Sequence, residues 1–143
     1  MRFMIIRRAD KDTEAGVLPD EKLLAAMGAY NEEMVKAGVM LQGEGLHPSS
    51  KGARVKFTNG KPAILDGPFA ETKELIAGFT LIQVKSREEA LAWLKRWPSM
   101  DAGGNVELEL RQVFEDDDFG AEFTPELREQ EARIREQAAK NLR

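Results

Sequence analysis

The chain has 143 residues, 42% of them hydrophobic, which predicts one compact domain with a core and a tail. The formal net charge of −4 argues against a nucleic-acid partner, because phosphate binding needs clustered lysine and arginine. The absence of cysteine excludes disulfides, thiolate nucleophiles and cysteine metal sites. The short apolar run Phe3–Ile6 does not resemble a secretory signal, no stretch suits a membrane span, and we expect a cytoplasmic protein without a membrane partner.

The first half of the chain has the pattern of a strand, a helix, a strand and a hairpin. Residues 2–8 are apolar on both alternating faces, as is typical of a central strand. Residues 19–38 have helical apolar spacing, with a proline as the opener and a glycine as the stop. Residues 39–46 predict a strand with a bulge or close approach at its glycines, and residues 53–65 predict a hairpin around Asn59-Gly60.

The second half repeats the order of strand, helix and strand. Residues 77–84 are again apolar on both faces, Ser86 and Glu89 form a capping-box pattern before a helix that Pro98 closes, and residues 105–114 alternate cleanly. This order predicts an α+β fold of the ferredoxin-like split βαβ type with an inserted β-hairpin. In that plan the first and third strands of the main sheet are central, and the other two are outer.

Two helices cover only one face of a four-stranded sheet, yet the predicted central strands are apolar on both faces. A self-complementary apolar sheet face is what a two-fold interface needs. We therefore predict a homodimer in which two sheets pack toward each other.

The composition changes near residue 115. Residues 1–115 form the predicted ferredoxin-like domain, and residues 116–143 form an acidic linker followed by a helix with Thr124 as its cap and Pro125 in its first turn. The thin apolar stripe of this helix predicts weak docking on its own domain or on a partner. The alternative is a recognition role for another protein.

The stretch LDGPFAETKELIAGF, residues 65–79, resembles the signature of the DGPF proteins, a branch of the YCII-related family. The resemblance extends in looser form over residues 1–114. It implies a dimeric α/β-barrel of ferredoxin-like subunits and companionship with extracytoplasmic-function sigma factors, and it implies no settled reaction. In the wider family a histidine on the first helix and an aspartate form a suspected catalytic dyad. Here the first helix has no histidine, and WPSMDAGG (97–104) matches the family's Asp-Pro element only loosely.

Two acid/base side chains lie in glycine-rich surroundings, and we predict His47 and Asp66 as catalytic residues. Asp66 has an alternative role, in which its carboxylate accepts backbone N–H groups of the Gly67-Pro68 turn. His47 has an alternative role as an ordinary loop residue before Pro48.

The predicted ligand-binding side chains are Phe69, Glu71, Lys73 and Arg111. A guanidinium binds carboxylate or phosphate in a bidentate manner, although Glu107 and Glu109 beside Arg111 are equally able to occupy it. No metal is predicted, because the spacing of Glu44 and His47 builds a metal site only on a helix.

These residues predict a small-molecule-binding protein or a small cofactor-free enzyme, with its site in the barrel cavity between helices and sheet. No cofactor is expected. The alternative is a non-catalytic regulatory or interaction protein, associated with an extracytoplasmic-function sigma factor through the acidic linker and terminal helix.

Overall fold

A computed structural model of the chain describes residues 1–142. The chain divides into two compact units, the first spanning Met1–Gln112 and the second beginning at Val113. The strands are β1 (Arg2–Arg8), β2 (Met40–Gly45), β3 (Ala53–Thr58), β4 (Lys61–Asp66), β5 (Ile76–Gln83) and β6 (Leu108–Gln112). The helices are α1 (Lys11–Glu14), α2 (Glu21–Lys36), α3 (Arg87–Leu94) and α4 (Pro125–Asn141).

The main sheet of the first unit has the order β2-β5-β1-β6, and all neighbouring strands are antiparallel. The predicted central strands, β1 and β5, are central, so the mixed α+β plan is confirmed. The bulge expected at the glycines of β2 lies before them, as a register shift between Met40 and Gln42. Within residues 1–142 the four strands form an open sheet, and no closed barrel is present.

One face of the sheet packs against α2 and α3. Its alternate strand residues meet inward-facing helix residues in a continuous core, formed by Phe3, Ile5, Tyr30, Met34, Val39, Ile82, Val84 and Ala90. Burial of each large apolar side chain stabilises the fold by about 1.5–3 kcal/mol. The Tyr30 hydroxyl donates to the Trp93 carbonyl at 2.7 Å, and burial raises the pKa of Tyr30 to about 12.

The other face of the sheet points away from α2 and α3, and its apolar side chains are partly buried. Met4 pairs with Leu81 and Ile6 pairs with Phe79, so four apolar side chains lie together on the side away from the helices. We call this set, Met4, Ile6, Phe79 and Leu81, the open sheet face. The neighbouring Ile82 points the opposite way and is fully buried in the core.

The helix ends follow side-chain capping. α2 begins after Asp20, whose carboxylate accepts the Leu23 N–H at 2.9 Å. Pro19 therefore lies before the cap, and the prediction that it is the first residue of the helix is wrong. The Ser86 hydroxyl accepts the Glu89 N–H at 3.1 Å at the start of α3, as predicted. The Glu89 carboxylate binds the Lys85 N–H instead of completing the capping box on Ser86.

Two segments differ from the sequence-based expectation. The charged loop after β1 contains the short helix α1, because Asp10 and Thr13 form a reciprocal capping box at its start. The last strand covers only Leu108–Gln112 of the predicted 105–114. It begins late because the tight turn Asp101–Gly104 continues into Asn105, whose φ of −120° and ψ of 23° are not extended.

The predicted hairpin is present as a separate two-stranded sheet of β3 and β4. Asn59 and Gly60 form its turn with φ angles of 51° and 78°, as a two-residue hairpin loop requires. Every residue of both strands is exposed.

The second unit contains the predicted terminal helix, α4. The Thr124 hydroxyl accepts the Leu127 N–H at 3.3 Å and caps the helix start. In the segment before it, Phe119 stacks on Phe114 with ring centroids 4.9 Å apart. Among residues 1–142, every helix is too short or too polar to cross a membrane.

Candidate functional site

A cleft of ≈ 380 Å³ opens in the first unit where three segments meet. These segments are α1, the loop of residues 46–52 that follows β2, and the start of β5. We call residues 46–52 the cleft loop. Its walls combine apolar side chains with ionisable ones, namely Leu46, Pro48, Leu75 and Ile76 with Glu14, His47, Lys51 and Glu74. Small-molecule sites likewise combine apolar walls with a few polar side chains that orient the ligand.

The cleft loop is attached to α1 through one carboxylate. The Ser49 N–H donates to Glu14 Oε2 at 2.8 Å, and the Ser49 hydroxyl donates to Glu14 Oε1 at 2.5 Å. Ser49 Oγ also accepts the N–H of Phe69 at 3.0 Å. One serine side chain therefore joins α1 to the turn of the sequence motif.

The Asp-Gly-Pro-Phe turn packs directly on the cleft loop. Gly67 and Pro68 are joined by a cis peptide bond, and the Gly67 N–H donates to the Gly52 carbonyl at 2.9 Å. A Cβ atom on Gly67 would lie 1.7 Å from the Ser49 carbonyl oxygen, so only glycine fits here. The turn supports the wall of the cleft from behind.

His47 and Asp66 lie in different places relative to the cleft. His47 is exposed and lines the cleft. Asp66 is the last residue of β4, pairs with Ala53, is exposed, and is absent from the cleft lining. Its side chain forms no hydrogen bond with any part of residues 1–142, so the expected capping of its turn is not formed there either.

The predicted ligand-binding residues are also dispersed. The Phe69 ring lies 3.9 Å from the Arg54 guanidinium carbon in a cation–π contact. Glu71 and Lys73 are exposed beside the turn and do not line the cleft, whereas the neighbouring Glu74 does.

Arg111 lies on β6, away from the cleft loop. Its Nη1 atom is 3.3 Å from the Glu109 carboxylate, which is also 3.3 Å from Arg8, so one of the two suspected glutamates contacts it. Glu107 lies 3.7 Å from Arg8 instead. The space between helices and sheet, where we expected a cavity, is filled by the core of Ile5, Met34 and Ile82.

A buried charged cluster on the other side of α1 was not among the predicted residues. Arg7 holds Asp101 with two hydrogen bonds, from Nη2 to Oδ1 at 2.7 Å and from Nε to Oδ2 at 3.2 Å. Trp97 Nε1 donates to the same carboxylate at 2.9 Å, and Arg7 Nη1 donates to Asp10 at 3.0 Å. We call Arg7, Asp10, Trp97 and Asp101 the Arg7 cluster. Asp101 is only 4% exposed.

The Arg7 cluster is held in its ionised form. Burial alone would raise the pKa of Asp101, but hydrogen bonds from Arg7 and Trp97 and the charge of Arg7 bring that pKa below its ordinary value. The same opposition acts on Arg7, where burial lowers the pKa and the contacts with Asp101 and Asp10 raise it overall. The two aspartates are therefore carboxylates at neutral pH.

A signal for the Arg7 cluster exists in the sequence. Phe3, Ile5 and Arg7 occupy the same alternating face of β1, and the first two are buried against the helices. An arginine side chain on the buried face of a central strand needs a carboxylate as its partner. Asp101, in the segment that loosely matches the family's Asp-Pro element, is that carboxylate.

The short helix α1 links the two polar sites. Asp10 at its N-terminal end accepts from Arg7, and Glu14 at its last residue accepts from Ser49 of the cleft loop. Among the described residues no cluster of histidine and acidic side chains is suited to hold a metal ion.

Three similarities to known proteins bear on this chain. The family model of the YCII-related domain matches residues 1–115. An uncharacterised protein of Rhizobium meliloti strain 1021 is 38% identical over 72 residues, which are 50% of this chain and 58% of that protein. The match thus spans little more than half of that relative.

The third similarity is to a solved structure. It is 5-chloro-2-hydroxyhydroquinone dehydrochlorinase from Burkholderia phenoliruptrix AC1100, in complex with 2,5-dihydroxybenzoquinone. The identity is 17%, the TM-score is 0.43, and the match covers 82% of this chain and 98% of that one.

Proposed function

We propose that this chain, which belongs to the family of YCII-related domains, is a small-molecule-binding protein whose ligand occupies the cleft between α1, the cleft loop and β5. The observation that carries the proposal is the lining of that cleft, in which His47, Lys51 and Glu74 stand among four apolar side chains. None of these three side chains forms an ion pair or hydrogen bond within residues 1–142. They are available to a ligand.

His47 is the acid/base group of the proposed site. An imidazole is the side chain best suited to exchange a proton near neutral pH. Its backbone is held on both sides, because the Leu46 N–H donates to the Ala77 carbonyl at 2.8 Å and Ser49 is bound by Glu14. The ring itself stays exposed, so His47 has a defined position and still faces the bound molecule. Chemistry of this kind needs no cofactor.

We further propose that the chain belongs to the DGPF branch and that the turn of its DGPF motif supports the cleft loop. The contacts of Gly67 and Phe69 with the cleft loop support this role. A catalytic role for Asp66 and a ligand contact for Arg111 stay predictions, and ligand contacts for Glu71 and Lys73 are the alternative that the variants below test.

We infer that two copies of the chain associate through the open sheet face. The support is the set of four apolar side chains there, on strands that already have helices on their opposite face. A two-fold arrangement buries such a face against itself and gives the paired sheets of a dimeric α/β-barrel. The association with a sigma factor stays a prediction, which deletion of residues 116–143 would test.

The test of the ligand site is a thermal-shift screen of small carboxylates, phenols and quinones. A ligand at 100 times its dissociation constant adds about 2.7 kcal/mol to the free energy of unfolding. Each hit is then titrated against His47→Gln and Lys51→Gln inside the cleft, and against Glu71→Gln and Lys73→Gln beside the motif.

The two pairs of variants remove comparable side chains from neighbouring surfaces. We expect the cleft variants to weaken binding at least tenfold, which corresponds to about 1.4 kcal/mol, and the motif variants to leave it unchanged. Loss of binding in the motif variants alone would move the site to Glu71 and Lys73 and contradict the cleft.

A further inference from the structure

The β3–β4 hairpin has an apolar face that is open to solvent. Directly paired residues of antiparallel strands share a face, and the pairs Val55 with Ile64 and Phe57 with Pro62 place four apolar side chains together. We call these four residues the apolar hairpin face. Val55, Phe57 and Ile64 are 55%, 65% and 73% exposed. Such one-sided alternation is typical of a sheet face that is covered, and a lone two-stranded hairpin is marginally stable in water.

The charge of the hairpin indicates what covers it. The hairpin, residues 53–66, carries three basic side chains and one acidic one, Asp66 at its end, whereas the whole chain has a net charge of −4. The rest of the chain is therefore more acidic than the whole. A second hairpin would be repelled, and the acidic body of a second copy would be attracted. Arg54 and Lys56 lie on the face opposite the apolar one, so both kinds of contact are available.

The interface area that a stable dimer needs also supports a second copy of the chain as the cover of the hairpin. A specific interface buries about 800 Å² on each partner, and homodimer interfaces are more apolar than the rest of the surface. The open sheet face offers four apolar side chains that are already partly buried within the chain. The apolar hairpin face adds four more, and all of them are exposed.

We propose that the apolar hairpin face is an interaction surface for a second copy of this chain. The hairpin of each protomer lies on the body of its partner and enlarges the interface formed by the open sheet face. The inference rests on the dimer proposed above, and it does not depend on the ligand of the cleft.

The test compares dimer dissociation constants by sedimentation equilibrium. The double variant Phe57→Ser/Ile64→Ser removes two large apolar side chains of the face, which are more exposed than Val55. Two substitutions, each of which occurs twice in a two-fold dimer, remove four apolar contacts. At about threefold for each contact, we expect the dissociation constant to rise by about 100-fold. Leu65→Ser removes an apolar side chain that is 60% exposed on the opposite face of the hairpin, so it is the matched control and should change the dissociation constant by less than about fivefold. Circular dichroism checks that all variants are folded.

A second measurement covers the case in which the double variant fails to fold. The chain has no cysteine, so Val55→Cys carries a single environment-sensitive dye. We expect the dye emission to shift to the blue as dimers form, and Ile6→Asp on the open sheet face to abolish the shift. The hairpin proposal is wrong if the double variant leaves the dissociation constant of the dimer unchanged, or if the dye emission does not shift as dimers form. Either result is still compatible with a dimer through the open sheet face. A wild-type chain that is monomeric at all micromolar concentrations overturns both.

Discussion

At one end of α1 the charged side chains are buried and paired, whereas at its other end they face an open cleft. In the Arg7 cluster, Asp101 accepts three hydrogen bonds from Arg7 and Trp97. In the cleft, His47 and Lys51 are exposed. Buried charges are tolerated only when they are satisfied, so the first group serves the fold. Exposed ionisable groups beside apolar walls cost the fold little and are available for binding.

The largest effect on stability is expected at the buried end. Asp101→Ala leaves the Arg7 guanidinium buried without its main partner, and removal of one member of a buried pair costs about 3–5 kcal/mol. Urea unfolding followed by tryptophan fluorescence measures this, because both tryptophans, Trp93 and Trp97, lie in the first unit. The control is Glu32→Ala, which removes an exposed partner 3.9 Å from Lys36 and should cost less than about 1 kcal/mol. Equal losses in the two variants would contradict the distinction between buried and exposed charge.

The next effect concerns the support of the cleft loop. Gly67→Ala places a methyl group where the Ser49 carbonyl oxygen lies, and overpacking against backbone of this kind should cost about 3 kcal/mol. Gly45→Ala is the matched glycine control, because its new Cβ would meet no atom within 4 Å. The measurement is the thermal unfolding temperature of each variant. If Gly67→Ala unfolds at the same temperature as Gly45→Ala, the turn does not hold the cleft loop.

The strand placement could be predicted from the sequence because it depends on local alternation. β1 and β5 are apolar on both alternating faces apart from the buried Thr80, and Asn59-Gly60 is a strong turn signal. The same alternation does not tell which face the helices cover. Ile82 is fully buried and Leu81, its neighbour, is on the open face, and only the packing of α2 and α3 distinguishes them.

The candidate site could be predicted only in part. His47 was recognisable as the sole histidine of the chain. Its position in a cleft depends on the Glu14–Ser49 contact, which joins residues 35 apart in sequence through side chains. No local pattern encodes such a contact. Asp66 was selected by its neighbours in the motif, and the fold instead uses the backbone of that motif, at Gly67 and Phe69, to hold the cleft loop.

A smaller effect is expected when acid removes the charges of the buried end. The pKa of Asp101 is below its ordinary value because hydrogen bonds and the charge of Arg7 outweigh burial, and the pKa of Asp10 is lowered by Thr13 and Arg7 against a similar burial effect. The unfolded chain therefore takes up these protons at higher pH than the folded chain. The stabilisation is complete above roughly pH 4, the ordinary range of aspartate, and is lost as pH falls through the folded-state values.

Unfolding free energies between neutral and acidic pH measure this loss. Asp101→Asn removes one of the two titrating groups, so we expect its stability to fall less steeply than that of the wild type below about pH 4. Identical pH slopes in the two proteins would show that Asp101 does not contribute to the acid sensitivity.

The smallest effect on stability is expected in the cleft, and there it should accompany the largest effect on binding. His47 is exposed and its side chain has no partner among residues 1–142, so His47→Gln should change the free energy of unfolding by no more than about 0.5 kcal/mol. Glutamine keeps a polar side chain but cannot exchange a proton at neutral pH. If the ligand depends on such an exchange, His47→Gln should lose either its binding or its turnover.

Asp101→Ala should show the reverse, with a large loss of stability and, in the fraction that is folded, ligand affinity closer to that of the wild type. Calorimetric titration of both variants with the best ligand from the screen, beside their unfolding curves, separates the two ends of α1. A His47→Gln variant that binds and turns over normally would leave His47 as an ordinary loop residue before Pro48.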